Sequence, residues 1–410
     1  MNRITLEAPQ HIDADILLPA SKSICNRVLI INALAGKQQM LSNLSDCDDT
    51  RVMIEALRDM PSTINIGAAG TAMRFLTAYL STHSSEHIIT GSERMQHRPI
   101  GILVETLRSL GARINYEKEV GFPPLHINGT TLEGGKVTMK GSVSSQYISA
   151  LLLIAPSLKQ GLSLQLTDHI ISRSYINMTL NLMREFGAQA EWKSNDLIVV
   201  EPTGYNSRPY TVESDWSASS YWYEMAALCP EASVRLTHLH SDSFQGDSRV
   251  ASVFERLGVH TRYTADGVAL NKTNNKVDFF EDDFSDIPDL AQTVVVACAL
   301  LEMPFRITGL QTLKIKETDR IEALKCELHK LGYILQDEAE GSILTWEGTH
   351  CAPQPSPSIS TYDDHRMAMA FAPAALKFNQ LQIENPKVVN KSYVGYWDDI
   401  KKAGFTQALI

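Results

Sequence analysis

The feature that most limits how this chain can fold is a helix stop written six times. A helix-like segment ending in apolar-x-x-apolar-Gly, followed by an alternating strand-like run, occurs at Leu107 to Gly111, Met183 to Gly187, Phe254 to Gly258 and Leu328 to Gly332. Ile400 to Gly404 is a degraded copy, and Leu57 to Met60 followed by Pro61 is a degraded first one. Glycine just past the last helical turn takes the left-handed conformation that ends a helix and sends the chain back as a strand. The stops fall at 60, 111, 187, 258, 332 and 404, spaced by 51, 76, 71, 74 and 72 residues. A second series runs about 40 positions ahead of the first, where turns bearing Ser, Gly or Asp open small-residue, apolar helices near Lys22, Gly70, Ser144, Asp215, Asp289 and Asp363. Two series in step predict six copies of one α/β unit, the first shorter, three to each half of the chain.

The 410 residues suffice for two domains with separate cores. With 37 Lys and Arg against 47 Asp and Glu, the formal charge of −10 argues against nucleic acid or an anionic membrane as a partner. The longest apolar stretches, Ala150 to Pro156 and Val294 to Leu301, are far short of the roughly 20 residues a bilayer span requires. The start, Met1 to Glu7, lacks the apolar run of a secretory signal. Cysteines 25, 47, 229, 298, 326 and 351 match neither a metal knuckle nor a dense disulfide framework. They are expected to be reduced thiols in a cytoplasmic protein.

The helix starts differ between halves. Ser21-Lys22-Ser23, Ala69-Gly70-Thr71 and Ser144-Ser145-Gln146 carry small donors suited to an anion at a helix N-terminus. Asp215, Asp289 and Asp363-Asp364 carry acids that cap a helix or accept a proton. Around these starts lie Arg27, Arg74, Arg94, Arg98 and the cluster Ser172, Arg173, Ser174, Tyr175, followed in the second half by Lys314 to Arg320, Tyr362 to Met369 and Lys391. Each alone has an ordinary explanation as a solvated cap or charged surface. On a helix, Lys316 and Arg320 would share a face with Glu317 alongside. Together, Lys22, Arg27, Arg98, Lys316, Arg320, Arg366 and Lys391 predict a small ligand set with several phosphates and carboxylates, with Asp289, Glu317 and Asp364 as acid/base groups among them.

In order along nearly the whole chain, these residues resemble the EPSP synthase (3-phosphoshikimate 1-carboxyvinyltransferase) family. The resemblance rests on Ser-Lys-Ser-x-x-Asn-Arg at 21–27, Ala-Gly-Thr-Ala-Met-Arg at 69–74 and Arg-Pro-Ile at 98–100. It continues with Ser-x-Ser-Ser-Gln at 142–146, Lys-Glu-Thr-Asp-Arg at 316–320, Asp-His-Arg-Met-Ala-Met at 364–369, and Lys391. It implies an α/β fold of two similar domains, each an inside-out α/β barrel of three βαβαββ units, with the active site in the interdomain cleft and closure on ligand binding. The chain would cross twice, making 21–214 the N-terminal domain and 1–20 with 215–410 the C-terminal one. The implied reaction joins phosphoenolpyruvate and shikimate 3-phosphate, with no metal or organic cofactor, in a monomer.

Carried over residue by residue, the resemblance implies shikimate 3-phosphate contacts at Lys22, Ser23, Arg27, Ser144, Ser145, Gln146, Ser172, Tyr175, Asp289 and Lys316. It implies phosphoenolpyruvate contacts at Lys22, Gly70, Arg98, Gln146, Arg320, Arg366 and Lys391, and catalytic roles for Asp289, Glu317 and Lys22. Ala20, Cys25 and Ala68 stand where relatives usually have glycine, serine and asparagine, and Phe75 and Thr312 also depart from some relatives. Gly70 is kept, which implies inhibition by glyphosate, a phosphoenolpyruvate mimic. A sister transferase acting on UDP-N-acetylglucosamine would place a catalytic cysteine near Arg94 to Pro99, where there is none. A non-catalytic polyanion binder would gain from losing Asp289 and Glu317, which are present.

Overall fold

The computed structural model describes residues 3–36, 40–378 and 380–409, so the first two residues of the N-terminal reading lie outside it. The chain divides into two compact units, one formed by Ala20–Val212 and the other by Met1–Pro19 with Glu213–Ile410. Ser214 and Asp215 belong to the second because their amides donate to His238 and Pro19 carbonyls at 3.0 and 2.9 Å.

Among the described residues there are six sheets, three in each unit. The run Thr63–Asn65, Gly70–Ser81, Glu86–Thr90, Gly101–Ser109, Arg113–Tyr116, Leu125–Asn128 is β-α-β-α-β-β. Its first two strands pair parallel across a helical crossover, and its last two add antiparallel. The same order recurs from Gly135 to Val200 and from Phe280 to Trp346. In the remaining two four-stranded sheets the sequentially distant strands Arg3–Glu7 and His11–Leu17 supply the missing edge or partner. The first copy is reduced to Leu41–Ser42 against Tyr210–Thr211. It lacks the closing hairpin, so Thr63–Asn65 follows almost directly on Met60. That missing hairpin accounts for the short spacing of 51 residues between the first two stops.

All six stops have positive φ, with Met60 at 41° and Gly111, Gly187, Gly258, Gly332 and Gly404 between 84° and 103°. The two helices of each copy have different jobs. Those opening at Lys22, Gly70, Ser145, Trp216, Ala291 and His365 are buried on nearly every side, as their all-round apolar sequences require. Those ending at the stops, such as Asp48–Asp59 and Arg173–Glu185, bury one face only. The second unit's core runs continuously from Ile4 through Trp216, Trp222 and Val294 to Phe371 and Tyr396.

Two local expectations change. Asp289 does not cap the helix: it sits within a short 3-10 turn, Pro288–Leu290, and the α-helix runs Ala291–Leu300. Lys316 to Asp319 are not helical either, because the Asp319 carboxylate accepts from Ile321 and Glu322 amides at 3.1 and 3.2 Å and starts the helix at Arg320.

Candidate active site

In the unit Ala20–Val212 the predicted ligands gather at helix starts. Ser21 accepts from the Ile24 amide at 3.4 Å and opens the helix Lys22–Leu34. The Lys22 ammonium lies 3.5 Å from an Asp49 carboxylate oxygen. One turn on, Arg27 is buried. Its Nε donates to Thr179 Oγ1 at 2.8 Å, Nη1 to the Ser23 carbonyl at 2.8 Å, and Nη2 to Ser149 Oγ at 3.2 Å and the Tyr175 carbonyl at 3.4 Å. Burial lowers its pKa to about 10, and Phe75, one of the departures, lies wholly buried beneath its guanidinium. Arg27 thus joins the helices Lys22–Leu34, Ser145–Ile154 and Arg173–Glu185, and brings Ser23 and Tyr175 together. Ser172 precedes the last of these in a left-handed conformation and makes no capping bond.

A second group forms around Gly70. The Arg98 guanidinium lies across this glycine so closely that a Cβ would meet Nη1 at 2.8 Å and Nη2 at 2.9 Å. Gln146 Nε2 donates to Thr71 Oγ1 at 3.1 Å, linking the helix starts at Gly70 and Ser145, and Ser144 caps the second by accepting from the Gln146 amide. Ala68 is exposed and Ser144, Ser145 and Gln146 are half-buried. The group is rich in donors: backbone amides, hydroxyls, an amide side chain and a guanidinium.

The other unit assembles a denser charge cluster. Arg320, 2% exposed at its side chain, pairs through Nε with Asp364 at 2.7 Å and through Nη2 with Glu317 at 2.9 Å. Its Nη1 makes no hydrogen bond and lies 3.5 Å from Asp289 Oδ1. Arg366 Nη2 pairs with Asp289 Oδ2 at 2.8 Å, and its Nη1 donates to the Asp289 carbonyl at 3.0 Å. Lys316 Nζ lies 3.9 Å from Asp289 Oδ1, so one carboxylate faces three cations drawn from two segments. Burial lowers Arg320's pKa, but Asp364, Glu317 and Asp289 outweigh it and hold the guanidinium above its ordinary value. Burial likewise lowers Lys316, opposed by Asp289. Asp364 caps the helix His365–Phe371 through the Arg366 amide at 2.9 Å. Lys391 donates to the Asp363 carbonyl beside the same helix start. Side chains of Lys316, Glu317 and Asp289 remain 30, 24 and 19% exposed, against 2% for Arg320 and none for Asp364, so the first three present the open face.

Sequence reasoning missed Asp247. This buried residue accepts from the Ser217 hydroxyl, and burial reinforced by Asp289 raises its pKa to about 7. Tyr221, which receives from Arg366 Nη1 at 3.5 Å, was also missed. The turn Gln245-Gly246-Asp247 was the available signal, but the Ser217 partner of Asp247 lies 30 positions away. Among the described residues, no three His, Cys, Asp or Glu side chains form a group that could hold a metal ion, and no helix is long and apolar enough to cross a membrane. The six cysteines are free.

Repeated βαβαββ units in two bodies, with donor-rich helix starts in one and a cation–carboxylate cluster in the other, define an α/β enzyme class that handles small polyanions. Comparison with known proteins specifies the class. The family model for EPSP synthase (3-phosphoshikimate 1-carboxyvinyltransferase) matches residues 6–65 and 59–400. A 3-phosphoshikimate 1-carboxyvinyltransferase of Bacteroides fragilis is 61% identical over 98% of both chains, and one of Vibrio cholerae is 34% identical over 97% of this chain and 98% of its own. The chain belongs to the EPSP synthase family. In solved structures, the fold is shared with the EPSP synthase of Acinetobacter baumannii, at a TM-score of 0.78 and 20% identity over the whole of both chains. The enolpyruvyl transferase NikO of Streptomyces tendae shares it at 0.73 and 16% identity, covering 100% of this chain and 99% of its own.

Proposed function

We propose that this family member performs its enolpyruvyl transfer with two unlike sets of residues, one from each unit. The reaction moves the enolpyruvyl group of phosphoenolpyruvate to the 5-hydroxyl of shikimate 3-phosphate and releases phosphate, in the shikimate pathway to chorismate and aromatic amino acids. In the Ala20–Val212 unit, Ser23, Arg27, Ser144, Ser145, Gln146, Ser172 and Tyr175 hold shikimate 3-phosphate, with Asp289 and Lys316 from the other. Lys22, Arg98 and Lys391 hold the phosphate end of phosphoenolpyruvate, Arg320 and Arg366 hold its carboxylate end, and Gly70 and Gln146 also contact it. Planar guanidinium forks suit a carboxylate or a phosphate, and compact ammonium groups suit a phosphate.

The observation that carries this reading is the setting of Asp289, which occupies Arg366 and faces the unbonded Nη1 of Arg320. A substrate carboxylate arriving at those two guanidiniums would displace Asp289. The displaced carboxylate then accepts the 5-hydroxyl proton as oxygen attacks C2, and protonation of the methylene carbon by Glu317 or Lys22 makes C2 electron-poor. The tetrahedral adduct expels phosphate toward the donors around Gly70 and Arg98. Neither a metal nor an organic cofactor takes part, and the protein works as a cytoplasmic monomer.

The test is phosphate release from phosphoenolpyruvate. Release that requires shikimate 3-phosphate, and that glyphosate inhibits competitively with phosphoenolpyruvate, is the expected result. No release would overturn the functional reading, and full activity in glyphosate would overturn the role given to the Gly70 group.

A further inference from the structure

The loop that carries Arg98 is fixed at several points. The Arg98 amide donates to the Met95 carbonyl at 3.1 Å, and the Ile100 amide to the Gly121 carbonyl at 2.9 Å. Between them, the exposed Pro99 offers one carbonyl oxygen, with two lone pairs, and two buried side chains converge on it. The Tyr147 hydroxyl donates at 2.5 Å and Arg74 Nη2 at 3.2 Å. Both come from the early turns of the helices at the donor group, Tyr147 next to Gln146 and Arg74 one turn after Gly70. Arg74 is aligned in turn by the Gly70 carbonyl at 3.1 Å and lies against the Tyr147 ring.

From this geometry we infer that Tyr147 is a positioning residue for Arg98: its hydroxyl, with Arg74, clamps the Pro99 carbonyl and so holds the guanidinium across Gly70. The inference rests on the reading that Arg98 receives the phosphate end of phosphoenolpyruvate. Angular freedom in the loop would carry the guanidinium away from a bound oxyanion, and such misplacement weakens binding even when every ligating group is present. Phenylalanine at 147 would keep the ring against Arg74, and the Pro99 oxygen would keep the Arg74 hydrogen bond. No buried polar group loses its last partner, so folding is little affected.

The experiment is steady-state kinetics on Tyr147→Phe, Arg98→Ala and the double variant, with thermal midpoints measured alongside. Tyr147→Phe is expected to raise the phosphoenolpyruvate KM about three- to tenfold, the size of one modest hydrogen bond. The shikimate 3-phosphate KM and kcat should stay within about twofold, since the lost interaction concerns one ligand's binding. In the Arg98→Ala background the same substitution should add nothing. Persistence of the effect there, or a parallel rise of both KM values with a lower midpoint, would show a merely structural role and overturn the inference. If Arg98→Ala raises the phosphoenolpyruvate KM and Tyr147→Phe does not, the inference alone falls. If Arg98→Ala leaves that KM unchanged, the reading of Arg98 falls and the inference with it.

Discussion

Two cations predicted to meet the same substrate sit in opposite surroundings. Arg98 is half-buried, lies over a glycine, and is fixed mainly through the backbone of its loop. Arg320 is enclosed, and Asp364, Glu317 and Asp289 surround it. A buried guanidinium with three carboxylates is part of what keeps its neighbourhood folded, because removing it strands those charges. A guanidinium resting on a glycine has no such duty. Polar equipment at helix starts therefore differs between the units: in one it is the set proposed to receive a ligand, and in the other it also balances charges that the fold has already buried.

The largest effect should come from Asp289, the carboxylate shared by Arg366, Arg320 and Lys316. Asp289→Asn should lower kcat about a hundredfold or more, the usual scale for losing a general base. Unchanged turnover would break the assignment of proton acceptor while leaving the family reaction in place. Gly70→Ala comes next. The new Cβ would overlap the Arg98 guanidinium, a flexible end that swings aside with little strain. The phosphoenolpyruvate KM should rise about tenfold, equivalent to roughly 1.4 kcal/mol, with no loss of thermal stability. A fall in midpoint without a KM change would erase the contrast drawn between the two units.

The smallest effect concerns pH. Asp247 has a folded-state pKa raised to about 7 from 3.8, by burial first and then by Asp289. The folded state therefore holds its proton more tightly than the unfolded one, and stability falls as pH rises from about 4 through about 7. Asp247→Asn removes that loss. Its thermal midpoint should exceed the parent's at pH 8. The gain should vanish near pH 4. A pH-independent difference would show that the residue acts through its hydrogen bond to Ser217 rather than its charge.

Much of the architecture was legible because its punctuation is local. Glycine stops and the Ser21, Ser144, Asp215 and Asp364 caps act within four residues of themselves, so each announces its helix end independently of the rest. The shortened spacing marked the first repeat as the shorter copy, and the structure adds that the closing hairpin is what it lacks. The failures are instructive in the same terms. Lys316 and Arg320 have helical spacing, but Asp319 between them is a stronger signal, since its carboxylate satisfies two amides that would otherwise be orphaned. The partners that hold Arg27, Ser149 and Thr179, lie 122 and 152 positions away and left no mark near it in sequence. Asp247, Tyr221 and Tyr147 escaped notice for that reason: nothing near them in sequence records what they touch.

The contrast between the two arginines is tested most directly by thermal unfolding of Arg320→Met and Arg98→Met side by side. Arg320→Met should lower the midpoint by about 10 °C, since uncovering buried carboxylates costs about 3–5 kcal/mol. Arg98→Met should stay within about 2 °C of the parent, as a half-exposed substitution without buried charge partners does. Equal losses in the two variants would contradict the account.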